Sequence, residues 1–159
     1  MSRTARLLLE NVCYHVISRG NQRQCIFNKD EDFMRYLDIL KKCKKRFKVS
    51  LYAYCLMNNH VHLVLEVDPP ATLSKAMQTI NQSYARYYNY VYKKSGHLWQ
   101  GRFKSFIINK DRYLFDCINY IESNPVRAKI VISPLFYQWS SYSARTLGIN
   151  GALLDTLKV

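Results

Sequence analysis

Polar and apolar positions along the chain switch between two periods, and the switches divide it into elements. Residues 12–18 are rich in β-branched and aromatic types and run into Arg19-Gly20-Asn21, a turn signal, so they predict a strand. From Asp30 the period becomes helical. Asp30, Glu31 and Asp32 suit a helix start, Phe33, Leu37, Leu40 and Phe47 fall mostly on one face, and the basic residues of 41–48 suit the end. Residues 50–57 and 60–67 predict two strands joined at Asn58-Asn59, a dipeptide that tolerates the left-handed conformations of a tight hairpin. After Pro70, the steps of three and four through Leu73, Ala76, Met77, Ile80, Tyr84, Tyr87 and Val91 predict a long amphipathic helix. Residues 96–101 read as a loop, 102–109 alternate as a strand, and 111–123 return to helical spacing until Pro125. This order predicts an α+β fold of ferredoxin-like type: a β-α-β-β-α-β antiparallel sheet with its helices on one face, followed by one additional helix. Pro69-Pro70 does not read as a linker and no repeat is visible, so residues 1–159 are expected to form a single domain.

Composition adds a partner. The chain has 159 residues, and its Lys plus Arg exceed Asp plus Glu by 24 − 11 = 13. With 48% hydrophobic and 22% charged residues it is neither disordered nor a membrane span, and the apolar run at Leu7–Leu9 is too short for a signal-peptide core. An intracellular protein is expected. The five cysteines are widely spaced and contain no C-x-x-C pair, which predicts buried reduced thiols rather than structural zinc. A surplus of cations together with 13 tyrosines points to nucleic acid, with cations for phosphates and rings for unpaired bases. Helical spacing assigns Tyr84 and Tyr87 to the core and leaves the outward tyrosines among Tyr88, Tyr90 and Tyr92 eligible for stacking.

Two clusters carry candidate chemistry. In His60-Val61-His62 the alternation of a strand points both imidazoles to one face, with α-carbons roughly 7 Å apart, close enough to converge on one ion. Glu66 shares the face but lies roughly 13 Å from His62, too far to complete the site. Two polar residues on a solvated sheet face would give the same pattern. On the last helix Tyr113, Cys117, Tyr120 and Asn124 form a stripe beside the apolar stripe of Leu114, Ile118 and Ile121. An amide at Asn124 could reach a metal while the phenol one turn away reaches a group bound to it; from the spacing alone, a helix-end asparagine before Pro125 and a core tyrosine are the favoured reading.

The run from Tyr14 through His15, Val16, Ile17, Ser18, Arg19 and Gly20 to Asn21, and the run from Tyr54 through Asn58-Asn59-His60-Val61-His62 to Val64, resemble the single-tyrosine HUH transposases. The segments 96–104, 120–128 and Trp139-Ser140-Ser141-Tyr142 resemble the branch of REP-associated tyrosine transposases, and the matches run in order along residues 12–145. The resemblance implies a ferredoxin-like sheet with the nucleophile on a following helix. It implies that His60 and His62 bind a divalent metal, Mg2+ or Mn2+, with Asn124 as third ligand where many insertion-sequence relatives carry Gln. Tyr120 becomes the nucleophile, because Tyr113 lacks the matching local motif. The implied partner is single-stranded DNA carrying a hairpin or palindrome, nicked and rejoined through a 5′-phosphotyrosine in the bacterial cytoplasm, at the nucleoid. Insertion-sequence relatives imply a homodimer and the REP-associated branch a monomer; the sequence does not separate them.

Arg19, Arg23, Arg102, Lys104 and Arg127 sit in or beside these motifs and are the candidate DNA contacts, with Trp99 either a stacking platform or a core anchor. The basic run 41–48 reads as a solvated helix end, His97 as structural or a DNA contact, and His15 as a satisfied sheet residue. Two rival functions remain at this stage: a domesticated nucleic-acid-binding module without catalysis, and a phosphodiesterase that uses water.

Overall fold

In a computed structural model, which describes residues 4–148 and 153–157, four strands and five helices follow the expected order. They are β1 (Cys13–Arg19), α1 (Asp30–Phe47), β2 (Ser50–Leu56), β3 (His60–Glu66), α2 (Thr72–Tyr92), β4 (Lys104–Ile108), α3 (Arg112–Glu122), α4 (Asn124–Arg127) and α5 (Tyr142–Leu147). The sheet runs β2-β3-β1-β4 with every neighbouring pair antiparallel. The predicted α+β, ferredoxin-like arrangement is the fold observed.

The two faces of the sheet are used differently. Tyr14 and Val16 of β1, Leu51, Tyr54 and Leu56 of β2, and Val61, Leu63 and Leu65 of β3 are buried under α1 and α2 in the main core. The opposite face carries a smaller core in which Cys13, Ala53 and Val64 meet Leu114, Ile118 and Ile121 of α3. The apolar stripe of α3 therefore does face a core, on the side of the sheet away from the other long helices. A bulge between Leu51 and Ala53 breaks the alternation of β2 and turns both Tyr52 and Ala53 to the α3 side. There the Tyr52 hydroxyl donates to Glu66 (2.7 Å), which also pairs with Lys110 (2.5 Å). Glu66 is thus engaged away from the histidines, as its distance predicts.

Two expectations about side chains change. Tyr88 is buried, its hydroxyl donating to the carbonyl of Cys25 (3.1 Å), and the Tyr92 hydroxyl donates to Asp32, so of the α2 tyrosines left for stacking only Tyr90 points wholly outward. Asp32 is fully buried and draws its partners from Asn28, Lys29, Tyr87 and Tyr92, which fixes the start of α1 against α2. Among the cysteines, Cys13, Cys43 and Cys55 are buried as expected, Cys117 is half-buried and Cys25 is exposed; none of the described cysteines is in a disulfide.

Past Pro125 the chain does more than end. The segment from Trp139 to Ser141 lies along the edge of β2, with Leu56 N–H donating to the Trp139 carbonyl (2.8 Å) and Ser141 N–H to the Tyr54 carbonyl (2.9 Å). Asp155 continues the cover, exchanging bonds with Leu51 at 2.8 Å each. An otherwise open strand edge is closed. The same segment holds α3 through Glu122, which is 1% exposed. Its carboxylate accepts from the Ser141 hydroxyl (2.6 Å) and from both Nε (3.1 Å) and Nη2 (2.5 Å) of Arg145.

Removing the cation from a pair whose carboxylate is buried leaves that carboxylate charged and uncompensated. With Glu122 1% exposed, Arg145→Ala is therefore expected to cost about 3 kcal/mol in urea unfolding. A loss below about 1 kcal/mol would show that the pair does not hold α3 in place.

Candidate active site

The register of β1 against β3 pairs Arg19 with His60 and Ile17 with His62, and alternation turns both histidines to the α3 face. The turn before His60 is fixed from below. Gly20 N–H donates to the Asn59 carbonyl (2.8 Å), and the N–H groups of Ile26 and Phe27 both donate to Asn58 (2.8 and 3.2 Å). This close approach explains the glycine: a Cβ at position 20 would lie 2.4 Å from the Gln24 carbonyl oxygen.

The outer nitrogen of each ring has a partner. Nδ1 of His60 is 2.6 Å from Oδ1 of Asn59, and Nδ1 of His62 is 2.8 Å from Nε2 of His15. The two rings stand nearly perpendicular, with centroids 4.9 Å apart. Their Nε2 atoms converge on the Asn124 amide, at 3.3 Å from His60 and 3.1 Å from His62. Asn124 reaches them because the helix breaks beneath it. Pro125 has no N–H to continue α3, and a single turn, α4, restarts at Asn124 with the proline in its first turn. The two positions are therefore not neighbours on one continuous helix, as the spacing suggested, yet Tyr120 and Asn124 stay close.

Arg127 joins them. Its guanidinium carbon sits 3.8 Å from the centroid of the Tyr120 ring, and Nη2 donates to Oδ1 of Asn124 (3.4 Å). Tyr120 is exposed rather than part of the core. Tyr113 is exposed too, but it sits in the first turn of α3 beside Arg112, whose guanidinium is 5.6 Å from its ring.

Two imidazole nitrogens and one amide fit a divalent ion with positions left for phosphate oxygens. Among the described residues there is no group of three His, Cys, Asp or Glu side chains, so a carboxylate does not compete for the third place. The Asn124 amide is the remaining donor, its oxygen and nitrogen interchangeable by rotation about one bond.

The other candidates divide into two groups. Arg19 and Arg127 are exposed at the rim of the histidine pair, and Lys104, opposite Ile17 in the sheet, lies on the same face. Arg23 is exposed beneath the hairpin, its carbonyl accepting from the Asn59 amide (3.4 Å). Trp99 and Arg102 lie elsewhere, in a cleft of about 950 Å³ between α2 and the loop that follows it, lined also by Asn21, Gln78 and Gln82. Trp99 is half-buried against the main core, and its indole N–H donates to the Asn81 carbonyl (2.9 Å), so it anchors the loop while part of it faces the cleft. His97 is exposed in the same cleft.

Sequence reasoning missed the partners. Asn59 entered only as a turn residue, Glu122 had no role, and His15 was read as a sheet residue. Phe106 is 52% exposed beside His15, with ring centroids 5.9 Å apart. Only Asn59 left a local signal, since it directly precedes a histidine.

A family described as "Transposase IS200 like" matches residues 9–124, a span that includes His60, His62, Tyr120 and Asn124. The chain is similar in structure to a REP-associated tyrosine transposase bound to a REP hairpin, with a TM-score of 0.75 and 17% identity over 100% of this chain and 93% of that one. It is also similar to a candidate transposase from Deinococcus radiodurans, with a TM-score of 0.54 and 21% identity over 77% of this chain and 97% of that one. At these identities the likeness is one of fold. No curated protein sequence matches the chain.

Burial, with Arg19 nearby, pushes His60 down to about 4, and burial together with His60, His15, Arg127 and Arg19 pushes His62 down to about 3. Both rings are neutral at physiological pH, as metal ligands must be. Unfolded, each takes up a proton near 6.5. Stability is then fully present above pH 6.5 and is lost as the pH falls toward 4, because the unfolded chain binds protons that the folded chain refuses. Urea unfolding at pH 7 and pH 5 should show a weaker protein at pH 5, and His62→Gln should flatten the difference. Equal stability at both values would contradict buried neutral histidines.

Proposed function

The chain belongs to the IS200-like transposase family, and from that premise we propose that it nicks and rejoins single-stranded DNA beside a hairpin, with Tyr120 as the nucleophile. The observation that carries the reading is the convergence of His60 Nε2, His62 Nε2 and the Asn124 amide next to an exposed phenol held by Arg127. His60, His62 and Asn124 would hold Mg2+ or Mn2+. Such an ion supplies Lewis acidity, drawing charge from a phosphate oxygen and orienting the phosphorus for attack.

The rest of the reaction belongs to the protein. Arg127 and Arg19 bind the phosphate from the rim, and the fixed histidine turn sets its position. The Tyr120 hydroxyl gives up its proton to solvent, which returns one to the leaving 3′-oxygen, and its own oxygen attacks phosphorus. The bond from phosphorus to the 3′-oxygen breaks, and that oxygen leaves as a free hydroxyl. The product is a 5′-phosphotyrosine, which keeps a phosphoester bond in place of the one broken. A DNA 3′-hydroxyl then attacks the same phosphorus and expels Tyr120, so joining needs no nucleotide cofactor.

Hairpin recognition is supported by the related fold solved with a REP hairpin. A set that needs no second copy is supported by Asn124 meeting the histidines of its own chain. Among the described residues no helix is long and apolar enough to cross a membrane.

A labelled single strand with a hairpin, incubated with Mn2+, should give a covalent adduct that survives denaturation. Tyr120→Phe should abolish the adduct and Tyr113→Phe should not; an adduct on the Tyr120→Phe protein sinks the assignment. Cleavage without an adduct would favour the water-using phosphodiesterase, and binding without cleavage the silent module. Binding of the same strand should weaken steeply with salt, since displaced counterions scale with the phosphates contacted. A flat response between about 50 and 200 mM salt would exclude a phosphate-dominated interface.

A further inference from the structure

His15 is a half-buried imidazole with no part in the chemistry above, and it stacks on His62 with ring centroids 5.1 Å apart and planes 25° from parallel. Its Nε2 lies 2.8 Å from Nδ1 of His62, so one proton is shared between two nitrogens and only one of them can be the donor. Which one is decided by the neighbours. Arg127 can only donate, so the Asn124 group it reaches is Oδ1, and the amide turns its Nδ2 to the histidines. A donor at that place needs lone pairs on Nε2 of both His60 and His62. The proton of His62 is therefore on Nδ1, and His15 accepts it.

The His60 side gives the same answer independently. The Arg23 carbonyl can only accept, so Asn59 points its Nδ2 there and its Oδ1 to His60, whose Nδ1 must carry the proton. Both rings present bare Nε2 atoms to one point. For His60 the outer acceptor is an amide oxygen, which cannot reverse the bond. For His62 it is another imidazole, which can.

We infer that His15 is a positioning residue that holds His62 in the Nδ1–H tautomer and so keeps its Nε2 lone pair available to a cation. The inference rests on the metal-site reading above, but it makes a claim about the metal-free protein as well. The His15 proton is then on its own Nδ1, and burial, which lowers its pKa, favours the neutral ring that can accept.

Long-range proton–nitrogen NMR of the metal-free protein at pH 7 reads the tautomer directly. Wild type should show His62 protonated on Nδ1, His15→Phe should show a mixture or the Nε2–H form, and His15→Gln, which restores an oxygen acceptor, should recover the wild-type pattern. In parallel, Mn2+ titration followed by electron paramagnetic resonance should show affinity about 10- to 100-fold weaker in His15→Phe. The amide nitrogen–proton spectrum of each variant reports whether it is folded, and His15→Gln stands in if the phenylalanine variant is not, with a wild-type tautomer expected. His62 in the Nε2–H form in wild type or in folded His15→Gln, or His15→Phe with both tautomer and Mn2+ affinity unchanged, overturns the inference. Wild type that has the Nδ1–H tautomer but binds no Mn2+ overturns the metal-site reading and leaves the role of His15 in fixing the tautomer supported.

Discussion

The site depends on the buried carboxylate of Glu122 more than on any other single contact. It stands at the last residue of α3, between the exposed tyrosine and the asparagine that meets the histidines, and it is tied to Ser141 and Arg145 of the C-terminal segment. That segment is itself bonded to the edge of β2. The end of α3 is thus referred back to the same sheet that carries His60 and His62. A helix packed on a sheet by Leu114, Ile118 and Ile121 alone could slide along it, because apolar contact is not directional. A bidentate carboxylate with a hydroxyl on one oxygen is directional. It converts a packed helix into a positioned one.

The two faces of the sheet divide the work. The face under α1 and α2 buries large side chains and supplies most of the apolar stabilisation. The other face is covered by α3 only at the Cys13, Ala53 and Val64 end, which leaves the histidine end reachable from the rim. Electrostatics follows the same division. The chain has a net charge of +13, and two of its cations, Arg19 and Arg127 at the rim, help keep the adjoining buried imidazoles neutral. Surface arginines attract the backbone of DNA, while the uncharged nitrogens behind them remain free to ligate.

Most elements were legible because their signals are local. A period of two or of 3.6 is visible in a window of ten residues, and turn residues punctuate it. The failures are each non-local or conformationally degenerate. Tyr52 and Ala53 suit a strand in either orientation, so the bulge that turns both to one face leaves no trace. Tyr88 is buried because the segment around Cys25 folds over α2, which widens its buried stripe beyond what its own sequence requires. Pro125 reads as a helix stop, and it is one for α3, but proline is also tolerated in a first turn, and here it begins another. At the site, the shared face of His60 and His62 follows from alternation alone. The meeting of His15 with His62 depends on the register between strands 47 positions apart, which no local pattern encodes.

Burial and exposure are distributed at the site in the way a two-step transfer requires. The histidines that would hold a cation must not move between steps, and each is restrained from behind, His60 by Asn59 and His62 by His15. The Asn124 amide, by contrast, has to rotate its Oδ1 away from Arg127 to ligate. The entropy of ordering the two rings is lost during folding rather than at the moment of reaction. The tyrosine has the opposite need. It must first reach the phosphorus and then serve as leaving group for an incoming hydroxyl that approaches along the reverse path, so a ring locked in the core could do neither. At 56% exposure, with one cation over its face and no hydrogen bond to its hydroxyl among the described contacts, Tyr120 stays open to solvent while its helix is fixed two residues on, at Glu122. Restrained histidines and an exposed nucleophile are the two halves of one design, and Glu122 fixes the helix that carries the second.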